Sequence, residues 1–412
     1  MNDREADDAI VHRRVRIAAM AVAAAAFVLF VVVARDDDPR PAVDVAAIRP
    51  MAVGTPMRGG AAPTSMPLAP AAPGLDSITA TRDPKDCVTS VASEVHKPEL
   101  EAAQLYRLEA TISALSRSLR SDPDERARVT GLFLDGSFET IARLAATSSD
   151  PFVYAMALQA CSRPGMKAKG APSCNLLSLA QWARIDPDNA TPWLYIASES
   201  ANRKDAAAVD EAMYRVAAAT NNRIYGDQLL RYAMSHVSAS ASAVEKADVF
   251  MHVIGVEAAW QYPAYQTPTQ YCAVPLLRDS NRWQACDGIA RNFVEHASNL
   301  LEKRIGFRIA ERLRWPTEKL AALQDEDEAL MNTQTGNFSD SEADSCRGFE
   351  RAREFQLQVA ALGEVGALRA LIAASGKSVA TLAGEARAER ELRAKAIAAE
   401  AATRPASAAS GA

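Results

Sequence analysis

The chain has 412 residues, with 46 Lys and Arg against 51 Asp and Glu, a formal net charge of −5. So mild a balance, with basic and acidic residues alternating along the chain, argues against a nucleic-acid binder. Aromatic residues make up only 6% and alanine is abundant, a composition suited to close packing of helices with small side chains between them. The bias to alanine and arginine points to a bacterial source.

Residues Ile17 to Ala34 carry no charge; Arg13, Arg14 and Arg16 precede them, and Asp36 to Asp38 lie just beyond. A helix of this length is ~27 Å long, close to the ~30 Å hydrocarbon thickness of a bilayer. The positive-inside rule keeps residues 1–16 in the cytoplasm and exports the chain beyond residue 34. The expectation is a single-pass inner-membrane anchor with its carboxyl-terminal domain in the periplasm. A cleaved signal peptide is the competing reading, because Val32-Val33-Ala34 resembles a cleavage site. Its apolar region would ordinarily be ~7–15 residues, shorter than this one. Residues 35–84 then hold nine of the 21 prolines among alanines and glycines. With few large apolar residues they predict a disordered, extended linker.

From residue 85 the pattern is helical. Leu105, Leu108, Ile112, Leu115 and Leu119 recur at spacings of three and four. Asp122-Pro123 and Asp150-Pro151 each read as an N-cap followed by a proline at the first helical position. Further helices are expected over Val244–Trp260, Trp283–Leu301, Glu318–Met331 and Phe349–Ile372, with Gly363 and Gly366 dividing the last. No alternating run long enough for a strand occurs. Residues 377–412 predict an Ala- and Arg-rich helix fading into disorder past Arg404. The fold class expected over 85–376 is therefore all-α, an irregular array of helical hairpins.

All six cysteines lie past residue 86: Cys87, Cys161, Cys174, Cys272, Cys286 and Cys346. An even count in an exported chain favours disulfides, and the absence of C-x-x-C removes zinc ribbons and thioredoxin-type motifs. Pairing of neighbours gives Cys161–Cys174 and Cys272–Cys286, leaving Cys87–Cys346; free buried cysteines are the alternative.

The stretch Ala183–Ala197, ARIDPDNATPWLYIA, resembles the junction between two tetratricopeptide repeats. Ala183, Asp186-Pro187, Asn189, Ala190 and Trp193 fall in that register, with Asp205 at the turn between helices. Pro187 stops one helix, Thr191-Pro192 starts the next, and Trp193 fills the gap between helix pairs. Val209, Val216, Ala197 and Lys204 depart from the family's pattern, and the Asp-Pro steps at 83, 122, 150 and 186 are irregularly spaced. The resemblance is best over 175–220, and the wider core of the array spans about 150–220. It implies a degenerate tetratricopeptide or Sel1-like array, in which Cys161 ends one helix and Cys174 begins its partner. Members of such families mostly act as scaffolds that bind peptides or proteins in a concave groove, so the resemblance implies that role.

Few residues carry a recognisable chemistry. None of the five histidines forms H-E-x-x-H or a paired metal spacing, so no metal and no cofactor is expected. No G-x-S-x-G elbow exists, and Gly376-Lys377-Ser378 lacks the first glycine of a phosphate loop. Glu257, near His252 on the face shared by Phe250 and Ile254, is the single carboxylate that invites an acid–base reading; a helix-edge ion pair is the plainer one. Trp260, Tyr262, Tyr265, Tyr271 and Trp283, with Trp193, are the binding candidates. Aromatics on a loop closed by Cys272–Cys286 suit sugar or peptide recognition, or they seal the gap between two helices. His296 borders an apolar face, and Asp325 to Glu328 read as a solvated helix face. These features lead to a membrane-anchored periplasmic scaffold binding a protein or peptide partner in the cell envelope. The alternative is a cell-wall-acting enzyme or glycan-binding protein using Glu257.

Overall fold

The computed structural model of the chain describes residues 98–162, 171–338 and 346–403. The expected cytoplasmic segment, membrane span and linker, and Cys87, lie outside the described residues. Among the described residues the fold is all-α, sixteen α-helices and two 3-10 turns with no strand. No single described helix is long and apolar enough to cross a membrane; a pair bent by 100°, Glu364–Ala374 with Val379–Ala399, passes on length and composition alone.

The first core gathers α1 (Pro98–Arg120), α2 (Glu125–Leu134), α3 (Phe138–Thr147) and α4 (Pro151–Ser162) with two later helices, α8 (Gln228–Ser235) and α9 (Ala243–Ala258). Along α1 the predicted stripe is buried at Ile112, Leu115 and Leu119 and emerges at Leu105, nearer the amino end of the helix. Helix α4 has almost no polar face: Phe152, Val153, Tyr154, Ala155, Met156, Ala157, Ala160 and Cys161 are all buried, as a helix at the centre of a core must be.

The second core belongs to α6 (Ala190–Asn202), α7 (Ala206–Ala218), α11 (Ser280–Glu295) and α12 (Leu300–Arg312), around Leu194, Met213, Ile289 and Phe293. Short helices α5 (Leu179–Ile185) and α10 (Gln266–Tyr271) lead into it. The third core joins α13 (Thr317–Phe338), α14 (Cys346–Leu362), α15 (Glu364–Ala374) and α16 (Val379–Thr403) through Leu330, Phe355, Leu368 and Leu382.

Small residues let these helices approach closely. A Cβ on Gly288 would lie 2.7 Å from Ala217 Cβ, and one on Gly306 would lie 2.7 Å from Phe293 Cβ and 3.0 Å from the Val294 nitrogen. The α11–α12 contact at Gly306 is partly to backbone, which cannot yield without parting the helices. Gly306→Ala is therefore expected to lower stability by about 1–3 kcal/mol, overpacking outweighing the ~1 kcal/mol gain in helix propensity. An unchanged or raised thermal midpoint would contradict this packing.

The helix boundaries correct several expectations. Asp122-Pro123 does not open α2: Asp124 is the N-cap, accepting from Arg126 N at 2.9 Å. Asp122 is drawn away, accepting from Asp124 N at 2.7 Å and pairing with His236 Nε2 at 2.8 Å. Asp150 does cap α4, through Phe152 N at 2.8 Å. At the start of α6 the cap is Asn189 rather than Thr191, its Oδ1 accepting from Thr191 N at 3.0 Å. The helix expected over Trp283–Leu301 is two, α11 and α12, because Asn299 caps a new start through Glu302 N at 2.9 Å. Only Gly363, at φ +75°, divides α14 from α15, a left-handed value that favours glycine; Gly366 lies inside α15.

The acidic run Asp325–Glu328 on α13 is not a solvated face. Asp325 pairs with Arg387 at 2.8 Å, Glu326 with Lys303 at 2.7 Å and Arg369 at 2.8 Å, Asp327 with Arg304 at 3.0 Å, and Glu328 with Arg387 and Arg390 at 2.7 and 2.8 Å. These four carboxylates tie α12, α15 and α16 to α13. The tail helix is thus docked through Leu382, Ala383 and Ala386, while Leu392 and Ile397 stand exposed further along.

Two disulfides are formed, Cys161–Cys174 and Cys272–Cys286, with Cα separations of 5.6 and 5.7 Å. Cys161 ends α4, but Cys174 sits in the 3-10 turn Pro172–Leu176 rather than at the start of a helix. Two local signals explain this: Pro172 opens the turn, and Ser178 supplies the next true N-cap by accepting from Gln181 N at 3.1 Å. Cys346 stands at the first residue of α14.

Candidate functional site

The aromatic candidates do not form one surface. Trp260 is buried, its ring against Phe133 at 6.0 Å and so close to Gly226 that a Cβ there would lie 2.9 Å from it. Tyr265 is buried and donates to Glu302 Oε1 at 2.6 Å. Tyr271 is buried beneath the Arg282 guanidinium, 4.6 Å above its ring. Trp193 is half-buried with Arg215 over it at 5.6 Å. Only Tyr262 and Trp283 are exposed, at 55% and 41%. Two distinct places emerge, a cluster of carboxyls whose charges reach Tyr262 and a groove beside Tyr271.

The cluster draws carboxyls from four elements. Glu257, near the end of α9, accepts from Leu230 N at 3.0 Å in the first turn of α8. Burial raises its carboxyl well above the ordinary range, and the charge of Asp227, the N-cap of α8, adds to the effect. Burial pushes Asp227 itself up to about 7. Glu302 on α12 is wholly buried and also pushed up to about 7, although Tyr265, Ser298 and Asn299 all hydrogen-bond to it. Glu364 at the head of α15 is raised by burial while accepting from Leu300 N at 2.9 Å and Gln334 Nε2 at 2.7 Å. Partial desolvation, then the charges of Glu364, Asp227, Glu257 and Glu302, raise the Tyr262 phenol above its ordinary value, although more than half of the residue's surface faces solvent. Carboxyls that keep protons near neutrality can act as acids. Here, however, Glu257 and Glu364 are each engaged in closing the open amino end of a helix, a structural task. Among the described residues no group of three or more His, Cys, Asp and Glu side chains is arranged to hold a metal ion.

The groove encloses about 530 Å³, within the ~300–1,000 Å³ span of ligand clefts. Asp210 and Tyr214 of α7 form one wall; Pro275, Leu276 and Arg278 of the 3-10 turn Val274–Arg278 form the other. Tyr271, Arg282 and Ala285 contribute to the lining between them. Both walls are held firmly. The Cys272–Cys286 disulfide ties the turn to α11, Arg312 donates to Thr269 O at 2.8 Å, and Arg282 bridges to Asp210 at 3.1 Å across the groove. Tyr214 is 61% exposed and Leu276 is exposed beside it.

Of the residues singled out in the sequence, the structure sets Glu257 and Tyr262 in the carboxyl cluster and Tyr265 against Glu302. It gives the groove Tyr271 and leaves Trp193 and Trp283 outside its lining. Sequence reasoning missed Tyr214, Leu276, Arg278 and Arg282. Tyr214 carried a signal: the buried residues of α7 are Ala212, Met213 and Val216, and an aromatic off that stripe has no place in the core. Comparison with protein-family models, with curated proteins and with solved structures finds no match.

Proposed function

We propose that the protein is a membrane-anchored, extracytoplasmic helical scaffold that holds a protein or peptide partner in the groove between α7 and the 274–278 turn. The observation that carries this reading is the groove itself: exposed apolar surface on walls fixed by a disulfide and a cross-groove ion pair. Such pre-organisation lowers the ordering cost of binding. The tetratricopeptide-like junction supports the reading, since the α6–α7 hairpin begins at that corner and α7 packs on α11. Two disulfides fit an oxidising compartment, and the uncharged segment Ile17–Ala34 supplies the anchor.

The test uses the full chain in intact cells, with a photo-crosslinking phenylalanine at Val274, exposed on the groove rim, or at Tyr106, 77% exposed on α1. A discrete adduct is expected from position 274, absent from 106, and lost when Tyr214→Ser and Leu276→Ser are added. Identical adducts from both positions would remove the groove as the binding site.

A further inference from the structure

The groove's lining chemistry narrows what it holds, an inference that rests on the scaffold reading. We propose that the groove takes an extended proline-rich segment with prolines at every third residue and a carboxylate at its end, namely residues Met66–Ser77 of a second copy of this chain.

Three features of the groove favour such an occupant. Its apolar surface is the exposed Tyr214 ring, Pro275 and Leu276, with the edge of Tyr271, and aromatic-lined grooves of this sort receive polyproline helices. A polyproline helix makes no internal hydrogen bonds, so its carbonyls seek donors. The Tyr214 hydroxyl and the Asn281 amide line the groove and have no hydrogen-bond partner among the described residues. The charges in the groove are unequally satisfied. Arg282 is neutralised by Asp210, and Asp279 caps α11 through Arg282 N at 2.9 Å. Arg278 has no ion-pair partner among the described residues. The occupant should therefore bring one carboxylate to that end. No strand is present among the described residues, so pairing of an extended peptide to a sheet edge is not available here.

The sequence contains a segment of matching chemistry. Pro67, Pro70 and Pro73 are spaced by three, and Asp76 comes at the same interval. With three residues per turn, all four fall on one ridge of a polyproline helix, so an apolar ridge ends in one negative charge. Chains anchored in one membrane would present this segment to one another at high effective concentration.

The decisive measurement maps the crosslink from position 274 in the full-length protein, using two differently tagged copies in the same membrane. The expected adduct joins the two tags and maps by mass spectrometry to residues 66–77. It should fall at least tenfold when Pro67, Pro70 and Pro73 are all replaced by alanine in the copy that donates the segment. Arg278→Glu should abolish it, and Asp76→Lys in the other copy should restore it. A synthetic Met66–Ser77 peptide added in excess should compete. An adduct that maps to a different protein would overturn this assignment while leaving the scaffold reading in place. An adduct confined to one chain, or charge reversal without rescue, would also overturn it. No adduct from position 274 at all would remove both readings.

Discussion

Replacing Glu326 by alanine is expected to cost about 3 kcal/mol or more, among the larger losses any single surface-facing carboxylate of this fold can cause. The reason is the partner it strands. The Lys303 side chain is only 2% exposed, and its ammonium meets Glu326 at 2.7 Å and the Val294 carbonyl at 3.4 Å. Burial already pulls the Lys303 ammonium below its usual range, with Glu326 opposing that pull. On the other side, Glu326 is held below the ordinary carboxylate range: partial burial pushes it up, but Lys303 and Arg369 outweigh the push. Removing the carboxylate leaves a buried cation without its counter-charge, the case in which loss of one partner costs ~3–5 kcal/mol. Two controls separate this from general sensitivity. Lys303→Met added to Glu326→Ala should recover most of the loss, because no buried charge then remains. Arg203→Ala removes one side of an ion pair exposed on both sides, 61% and 62%, so that change should cost under ~1 kcal/mol. Urea unfolding with an unchanged slope would read these differences directly. Equal losses for Glu326→Ala and Arg203→Ala would refute the distinction.

That pair also shows where sequence reasoning reached its limit. The helices themselves were legible because their signals are local. Asp150-Pro151, the stripe through Ile112, Leu115 and Leu119, and the corner at Asp186-Pro187-Asp188-Asn189 each need only a few neighbouring residues. At the corner, Asn189 Nδ2 reaches Asp186 Oδ2 at 2.7 Å, and the Tyr225 hydroxyl donates to the same oxygen at 2.9 Å. The local half of that arrangement could be read; the Tyr225 half could not. Asp325–Glu328 looked solvated because four consecutive acids usually are. Their cations lie 23 residues upstream on α12 and 62 residues downstream on α16, and nothing in the spacing announces them. The neighbouring-cysteine rule gave Cys161–Cys174 and Cys272–Cys286 because short loops close readily. The aromatic segment 260–283 has the composition of a binding loop, yet burial sorts it: Trp260, Tyr265 and Tyr271 fill the interior. The exposed partner of the groove, Tyr214, came from a helix more than 40 residues earlier in the chain.

Four raised carboxyls, Glu302 wholly buried and the other three half-buried, shape how the protein's stability varies with pH. Asp227 and Glu302 are pushed up to about 7 by burial, and Glu257 and Glu364 are raised as well. In the unfolded chain such groups lose their protons near ~4. Between those limits the folded state binds more protons than the unfolded state, so these four groups make stability fall as pH rises. For Glu302 the cost of ionisation at high pH is on the order of 3 kcal/mol. Asp122, Glu139, Glu245 and Glu326 act in the other direction: hydrogen bonds from His236, Ser173, Ser242 and Lys303 hold them below the ordinary range. Their contribution is present above the unfolded value and is lost as pH falls through the folded one. The two sets together place maximum stability near pH ~5, on the acid side of neutrality. Urea unfolding should therefore give a higher free energy at pH 5 than at pH 8. Glu302→Gln cannot ionise, so it should flatten that decline whatever it does to stability at pH 5. The change in slope is the informative quantity, because the amide also points a donor at Ser298 N and carries its own cost. A profile that is flat or rising between pH 5 and pH 8 would mean that these four carboxyls are hydrated well enough to ionise freely.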